Sequence, residues 1–357
     1  MTLAIVAAGW LAGWVLLWRL PRLPAAAGAP DPGRLAVVIP ARDEAATLPI
    51  LLESLRHQSA PPAEVVVVDD SSSDGTAGVA VALGARVVEA GALPPGWAGK
   101  AWACHVGTAA TAADRLVFLD ADVRLAPDAL ARLAATDAGG LVSVQPFHAV
   151  ERIAEHASAI PNVVALMASG IGAIRPARRP RLAFGPCLST SRRDLAAAGG
   201  FGAVRDEVLE DAALARRYDA AGLPVRCFAG GATIRFRMFP SGGRAIVQGW
   251  SRTLAGGVHL ARPLPSAGTA LWITALLAVT VDAVRSPGPV VALAWAACAV
   301  QLWWLQRQAG SFRWWSAVAF PVLVTVFVAL FAWSAFAWWV LRRVTWRRRT
   351  LAVRPRA

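Results

Sequence analysis

Apolar residues are unevenly spread along this chain. Long runs with little charge lie at the N-terminus and after residue 266, and charge concentrates between them. A helix needs about 20 apolar residues to cross a bilayer, so the pattern predicts membrane-embedded ends around a globular middle. With 56% hydrophobic residues and 16 Trp among 357 residues, the composition fits that arrangement better than a soluble enzyme. The length suits one large domain or two ordinary ones.

The first apolar run carries Trp10, Trp14 and Trp18 and ends at Arg19 and Arg22. Ala25-Ala26-Ala27 resembles a cleavage site, but a signal peptide carries its positive charge ahead of the apolar core. We therefore expect an uncleaved anchor over 1–22, with the chain cytosolic from there on. Pro21, Pro24, Pro30, Pro32 and Gly33 mark a linker over 23–33. Three further apolar runs cover 270–281, 290–305 and 315–341, followed by an arginine-rich tail over 342–357. Two crossings would keep that tail inside and three would not. The first run, short and closed by Asp282, reads as re-entrant or as half of an incomplete hairpin. The formal charge of +13 is concentrated beside apolar segments. It suits contact with anionic lipid rather than nucleic acid, for which no recognition motif is present. Cys104, Cys187, Cys227 and Cys298 are scattered without CxxC spacing and imply neither a disulfide framework nor a zinc site.

Between the ends, short apolar runs alternate with helical patterns. Leu35 to Ile39 ends at Pro40, Glu64 to Val68 at Asp69-Asp70, and Leu116 to Leu119 at Asp120-Ala121-Asp122. Such alternation predicts an α/β fold with a mostly parallel sheet flanked by helices. Ligands in such sheets gather at the carboxyl ends of the strands, where every strong strand here finishes in acidic or small polar residues. Two carboxylates one residue apart are costly to hold together without a cation. Hard oxygen ligands suit Mg²⁺ or Mn²⁺.

The second half is weaker in signal. It holds an apolar helical stretch over 153–174, read as lying against the membrane interface and running into Arg175, Arg178, Arg179 and Arg181. A strand-like run over 182–191, Gly199-Gly200-Phe201-Gly202, and a helix opening on Glu210-Asp211 follow. Two strands are expected within 225–236, and an amphipathic helix over 242–260. The expected division is 1–22 anchor, 23–33 linker, 34–240 catalytic domain, 241–265 interface helix, 266–341 membrane region and 342–357 tail. Lys100 is the only lysine among 36 basic residues. In a chain that otherwise uses arginine, one retained ammonium points to phosphate, which lysine binds as a compact point charge. His105 and His259 read as structural.

The order strand–Pro–acid, strand–Asp-Asp–Ser/Gly, Gly96-Trp97-Ala98-Gly99-Lys100, strand–Asp120-Ala121-Asp122, Gly-Gly-Phe, Glu210-Asp211 resembles the family 2 glycosyltransferases of GT-A fold, over about residues 34–260. Pro95 to Lys100 and Gln248-Gly249-Trp250-Ser251-Arg252, with membrane segments at both ends, resemble its carotenoid-acid and hopanoid-associated branch. The resemblance implies that Pro40, Asp43 and Glu44 line a nucleoside pocket and that Asp70 accepts from a uracil N3–H. It implies that Lys100 and Glu210 join the nucleotide-sugar site, that Asp120 and Asp122 hold a divalent cation on the diphosphate, and that Asp211 is the general base. Gln248, Trp250 and Arg252 partly match the Gln-x-x-Arg-Trp motif of processive members. The order is altered, which favours a single transfer. Trp250 would stack on an acceptor and Arg252 bind diphosphate, or the pair is an interfacial aromatic beside a snorkelling arginine.

The implied activity is inverting, metal-dependent transfer of a hexose, glucose by resemblance, from a UDP-sugar to a membrane lipid: a carotenoid, a hopanoid or another isoprenoid. A polyprenyl phosphate is an alternative acceptor, suited to the arginines of 175–181. A nucleotidyltransferase would carry a Gly-rich basic loop after its first strand, where this chain has Pro40-Ala41-Arg42-Asp43-Glu44. An inactive scaffold would have no need of Asp120, Asp122 and Asp211.

Overall fold

The computed structural model describes residues 3–26, 35–136, 139–176, 182–346 and 349–352. Part of the linker, Arg178, Arg179 and Arg181, and part of the basic tail lie outside them. The first half of the chain runs α1 (Leu3–Leu16), β1 (Leu35–Ala41), α2 (Leu48–Arg56), β2 (Glu64–Asp69), α3 (Thr76–Ala82), β3 (Arg86–Glu89), α4 (Gly99–Ala110), β4 (Arg115–Leu119), β5 (Val123–Leu125), α5 (Ala129–Ala135), β6 (Leu141–Gln145) and β7 (Phe147–His148). A 3₁₀ turn (Ile153–Ser158) then leads through α6 (Ala159–Ser169), β8 (Cys187–Ser191), α7 (Arg192–Ala197) and α8 (Glu210–Ala220) to β9 (Val225–Ala229), β10 (Ile234–Phe236) and α9 (Gly243–Leu260). The last elements are α10 (Pro263–Arg285), α11 (Pro289–Ala309), α12 (Trp314–Val318), α13 (Phe320–Trp339) and a hairpin, β11 (Arg343–Trp346) and β12 (Arg349–Ala352).

These elements form two compact units. Arg22–Phe147 and Arg179–Met238 make one; Met1–Pro21, His148–Arg178 and Phe239–Ala357 make the other. The stretch His148–Arg178, expected inside the 34–240 domain, thus belongs with the apolar helices. Its helical part is also broken, with α6 stopped by Gly170 in the left-handed conformation.

The first unit is built on a seven-stranded sheet in the order β3-β2-β1-β4-β8-β6-β9. β1 pairs in parallel with β2 and β4, β2 with β3, and β6 with β9. β8 runs antiparallel to both β4 and β6, so the sheet is mixed where its centre meets its second half. Val37, Val38 and Ile39 of β1 are fully buried, as a strand covered on both faces requires. On one face α4 crosses at Gly107, where a Cβ would lie 2.3 Å from the Val38 side chain and 2.9 Å from that of Val68. On the other, Leu48, Leu51, Leu52 and Leu55 of α2 join Val37, Ile39, Val67 and Val117 in one apolar cluster.

In the second unit, α10, α11 and α13 are 23, 21 and 20 residues long, each long and apolar enough to cross a membrane. The run that reads as too short is therefore a full-length helix, because α10 starts at Pro263 and continues past Asp282. α1 is the shorter partner. Its 14 residues rise about 21 Å at 1.5 Å each, against roughly 30 Å of hydrocarbon. It packs closely on α10, with a Cβ at Gly9 only 2.5 Å from that of Ala275. α9 docks on α13: Ser334 accepts from the Ala255 N–H and donates to the Ser251 carbonyl, and the Trp338 indole donates to the Arg252 carbonyl. Trp250 is buried, donates from its indole N–H to Ser158 Oγ at 3.0 Å and meets Phe239 edge-on.

Two stability measurements on the purified full chain in nanodiscs check these contacts. We expect Gly107→Ala to overpack the α4 crossing and cost about 1–3 kcal/mol, lowering the thermal midpoint. We expect Trp250→Phe to strand Ser158 Oγ and cost about 1 kcal/mol; an unchanged midpoint would contradict a structural role for that indole.

Candidate active site

The site builds at the carboxyl ends of β1, β2 and β4. Beyond β1 the chain turns sharply, and Asp43 takes a left-handed conformation with φ 51°. Its Oδ1 accepts from the backbone N–H and the hydroxyl of Ser73, while its own N–H donates to Ser72 Oγ. The Glu44 N–H donates to Thr76 Oγ1 at 2.8 Å, and its carboxylate accepts from the Thr47 hydroxyl at the start of α2. The loop after β1 is thereby laced to the loop after β2. Asp70, 6% exposed, sits between them. Its N–H donates to the Ala41 carbonyl, and Arg42 Nη1 donates to its carbonyl at 2.7 Å while lying 3.8 Å from its Oδ2. Pro40, Asp43, Glu44 and Asp70 therefore converge on one corner.

The second corner is charged. Lys100 stands in the first turn of α4, and its ammonium lies 2.6 Å from Asp120 Oδ1 and 3.2 Å from Glu210 Oε1. It also donates to the Gly185 carbonyl at 3.4 Å. Burial alone would lower the Lys100 pKa, but the charges of Asp120 and Glu210 outweigh it and raise it, so the side chain is a cation throughout the neutral range. Asp120 is pinned by its N–H to the Pro186 carbonyl. Asp211, beside Glu210 in the first turn of α8, accepts from the Gly185 N–H at 2.7 Å on Oδ2 and from the Ala212 N–H on Oδ1. A carboxylate there is favoured by the helix dipole. The Gly185 backbone thus holds Asp211 with its N–H and Lys100 with its carbonyl. A side chain at that position would come within 3.0 Å of both.

Lys100, Asp120, Glu210 and Asp211 are brought together. Asp122 follows Asp120 in the turn between β4 and β5. The donor set is one of hard carboxylate oxygens, which suits Mg²⁺ or Mn²⁺. Among the described residues no group of three or more His, Cys, Asp or Glu is placed to hold a metal ion, so a cation held through one or two carboxylates would take the rest of its shell from water and substrate oxygens. Gln248, Trp250 and Arg252 belong to the other compact unit. There Trp250 is buried, with its indole N–H on Ser158 and its ring against Phe239. Arg42, Gly185 and Pro186 escape a reading of the sequence for chemistry. Only the dipeptide Gly185-Pro186, a turn signal inside a strand-like run, marks the place.

The chain has known relatives. The family model described as Glycosyl transferase family 2 matches residues 36–155. The 4,4'-diaponeurosporenoate glycosyltransferase of Staphylococcus aureus (strain MRSA252) is 31% identical over 311 residues, 83% of this chain and 82% of its own. The protein of that name from Staphylococcus haemolyticus (strain JCSC1435) is 34% identical over 247 residues, and the match spans 67% of this chain and 66% of that one. Among solved structures, the mannosyltransferase PcManGT from Pyrobaculum calidifontis, in complex with GDP-Man and Mn²⁺, has a TM-score of 0.55 at 20% identity. The match covers 92% of this chain and 97% of that one, and supports the same fold. The chain belongs to the family 2 glycosyltransferases, and its sheet-based unit is a GT-A domain.

Proposed function

We propose that this glycosyltransferase moves a hexose, glucose in our reading, from a UDP-sugar to an isoprenoid lipid in the membrane, with inversion at the anomeric carbon. The observation that carries the proposal is the meeting of Lys100, Asp120, Glu210 and Asp211 at the carboxyl edge of the sheet. A nucleotide lies along that edge in folds of this kind. Asp70 reads the base: a carboxylate can accept from the uracil N3–H, and cytosine offers no donor there. Arg42 keeps Asp70 in place from the side. Lys100 supplies positive charge for the diphosphate. Asp120 and Asp122 would hold a divalent cation, which as a Lewis acid would neutralise charge on the leaving diphosphate.

One base suffices for direct displacement. The acceptor oxygen bonds to the anomeric carbon as the bond from that carbon to the diphosphate oxygen breaks. A hydroxyl acceptor gives its proton to Asp211. A carboxylic acid acceptor, the class named in the staphylococcal relatives, is already ionised at neutral pH and has no proton to lose. The apolar helices of the second unit support a lipid acceptor, since they fit the protein to a substrate that stays in the bilayer. In this reading the protein is a multi-pass membrane protein with its catalytic domain in the cytosol.

Sugar transfer is measured with purified protein in native-lipid nanodiscs, Mn²⁺ or Mg²⁺, and a panel of UDP- and GDP-sugars, following nucleoside diphosphate release with extracted lipids. We expect UDP release that requires metal and lipid; no binding of any nucleotide would sink the proposal. With a hydroxyl lipid, Asp211→Asn is expected to lower turnover about 10²–10⁴-fold. With a carotenoid carboxylate it should retain most of it. Asp70→Ala is expected to raise the donor KM about 10-fold or more, the worth of a hydrogen bond to a charged group, with little change in turnover.

A further inference from the structure

Lys100 is badly placed by local rules. An ammonium in the first turn of a helix meets the positive end of the helix dipole, and its side chain is three-quarters shielded from water. Two carboxylates offset that cost: Asp120 Oδ1 at 2.6 Å and Glu210 Oε1 at 3.2 Å, the latter on a side chain only 8% exposed. The oxygen that Lys100 grips most closely thus belongs to Asp120, one of the two residues suited to a divalent cation. Lysine also carries its charge on a flexible four-carbon stem, so the ammonium can leave Asp120 without moving α4.

We propose that Lys100 is the resident cation of the Asp120–Glu210 pair in the empty enzyme, and that it must give up Asp120 for a divalent cation to bind there, turning instead to the diphosphate of the donor. The inference rests on the donor-site reading above and adds an exchange of cations to it. With Lys100 on Asp120, the carboxylate is already neutralised, and a metal ion alone binds weakly because it has to displace an ion pair. When donor and metal arrive together, the diphosphate gives the displaced ammonium a new anionic partner. Metal and nucleotide then strengthen one another's binding by the same factor, as linkage requires. Activity waits for both.

The chain offers a direct probe, since Lys100 is its only lysine. The full chain in nanodiscs is treated with an amine-acylating reagent, and the labelling rate at Lys100 is followed by mass spectrometry. We expect Mn²⁺ alone, at high concentration, to raise that rate at least about threefold, and Mn²⁺ with UDP to suppress it below the metal-free value. A rate unchanged or lowered by Mn²⁺ alone, at a concentration where it binds, would overturn the exchange. Mn²⁺ binding itself is read from the loss of the free-ion paramagnetic resonance signal. Lys100→Met is expected to bind Mn²⁺ at least about tenfold more tightly than the natural chain without nucleotide, and to show a smaller gain on adding UDP. Equal or weaker affinity in that variant would sink the exchange while leaving the transferase reading in place. Mn²⁺ that binds neither protein, with or without UDP, would remove the metal site and the exchange with it.

Discussion

The ion-paired cluster of Lys100, Asp120 and Glu210 is the constraint on which the site depends. It ties α4, the end of β4 and the start of α8 to one point. Each of these elements has an independent reason to be where it is. β4 is buried at the centre of the sheet, and α4 is pressed onto β1 and β2 at Gly107, where no side chain fits. α8 is anchored from behind by Tyr218, whose hydroxyl meets Thr190 Oγ1 of β8 at 2.7 Å. Partly shielded charges left unpaired in such a frame would be expensive. The rigid scaffold therefore fixes where the ammonium can rest, and Gly185 couples that position to Asp211 through the backbone of one residue.

Much of this was legible in the sequence, because the information is local. Strands that end in acids, the isolated lysine and the Glu-Asp pair opening a helix each announce themselves within a few residues. What they do to one another is not local. Nothing near Lys100 says that its partner is Glu210, and a strand-like run such as Cys187–Ser191 does not encode strand direction, so the antiparallel placement of β8 was invisible. The excursion His148–Arg178 was half legible: the apolar stretch over 153–174 marks an interfacial segment, and packing groups it with the apolar helices. Trp250 shows the same limit. A tryptophan beside a motif-like arginine reads either as a binding group or as an interfacial aromatic; the structure buries it, with Phe239 against the ring and Ser158 on its N–H.

The second unit answers a different physical problem. Apolar helices gain little from association in lipid, so close backbone approach and internal hydrogen bonds must hold them. Gly9 and Gly13 of α1 let α10 come near enough to touch. Gln301, an amide within the apolar run over 290–305, is 1% exposed and bonded through both its oxygen and its nitrogen: it accepts from the Trp272 indole and donates to the Trp10 carbonyl. Trp10 in turn donates to the Ala297 carbonyl. One glutamine thus joins α1, α10 and α11 with bonds that lipid cannot replace. A hydropathy reading counts that residue as a flaw in a span; the structure makes it the reason that a 14-residue helix stays docked. α1, though short, is thus held along both α10 and α11. It completes a helix bundle, which is a matter of packing rather than of length.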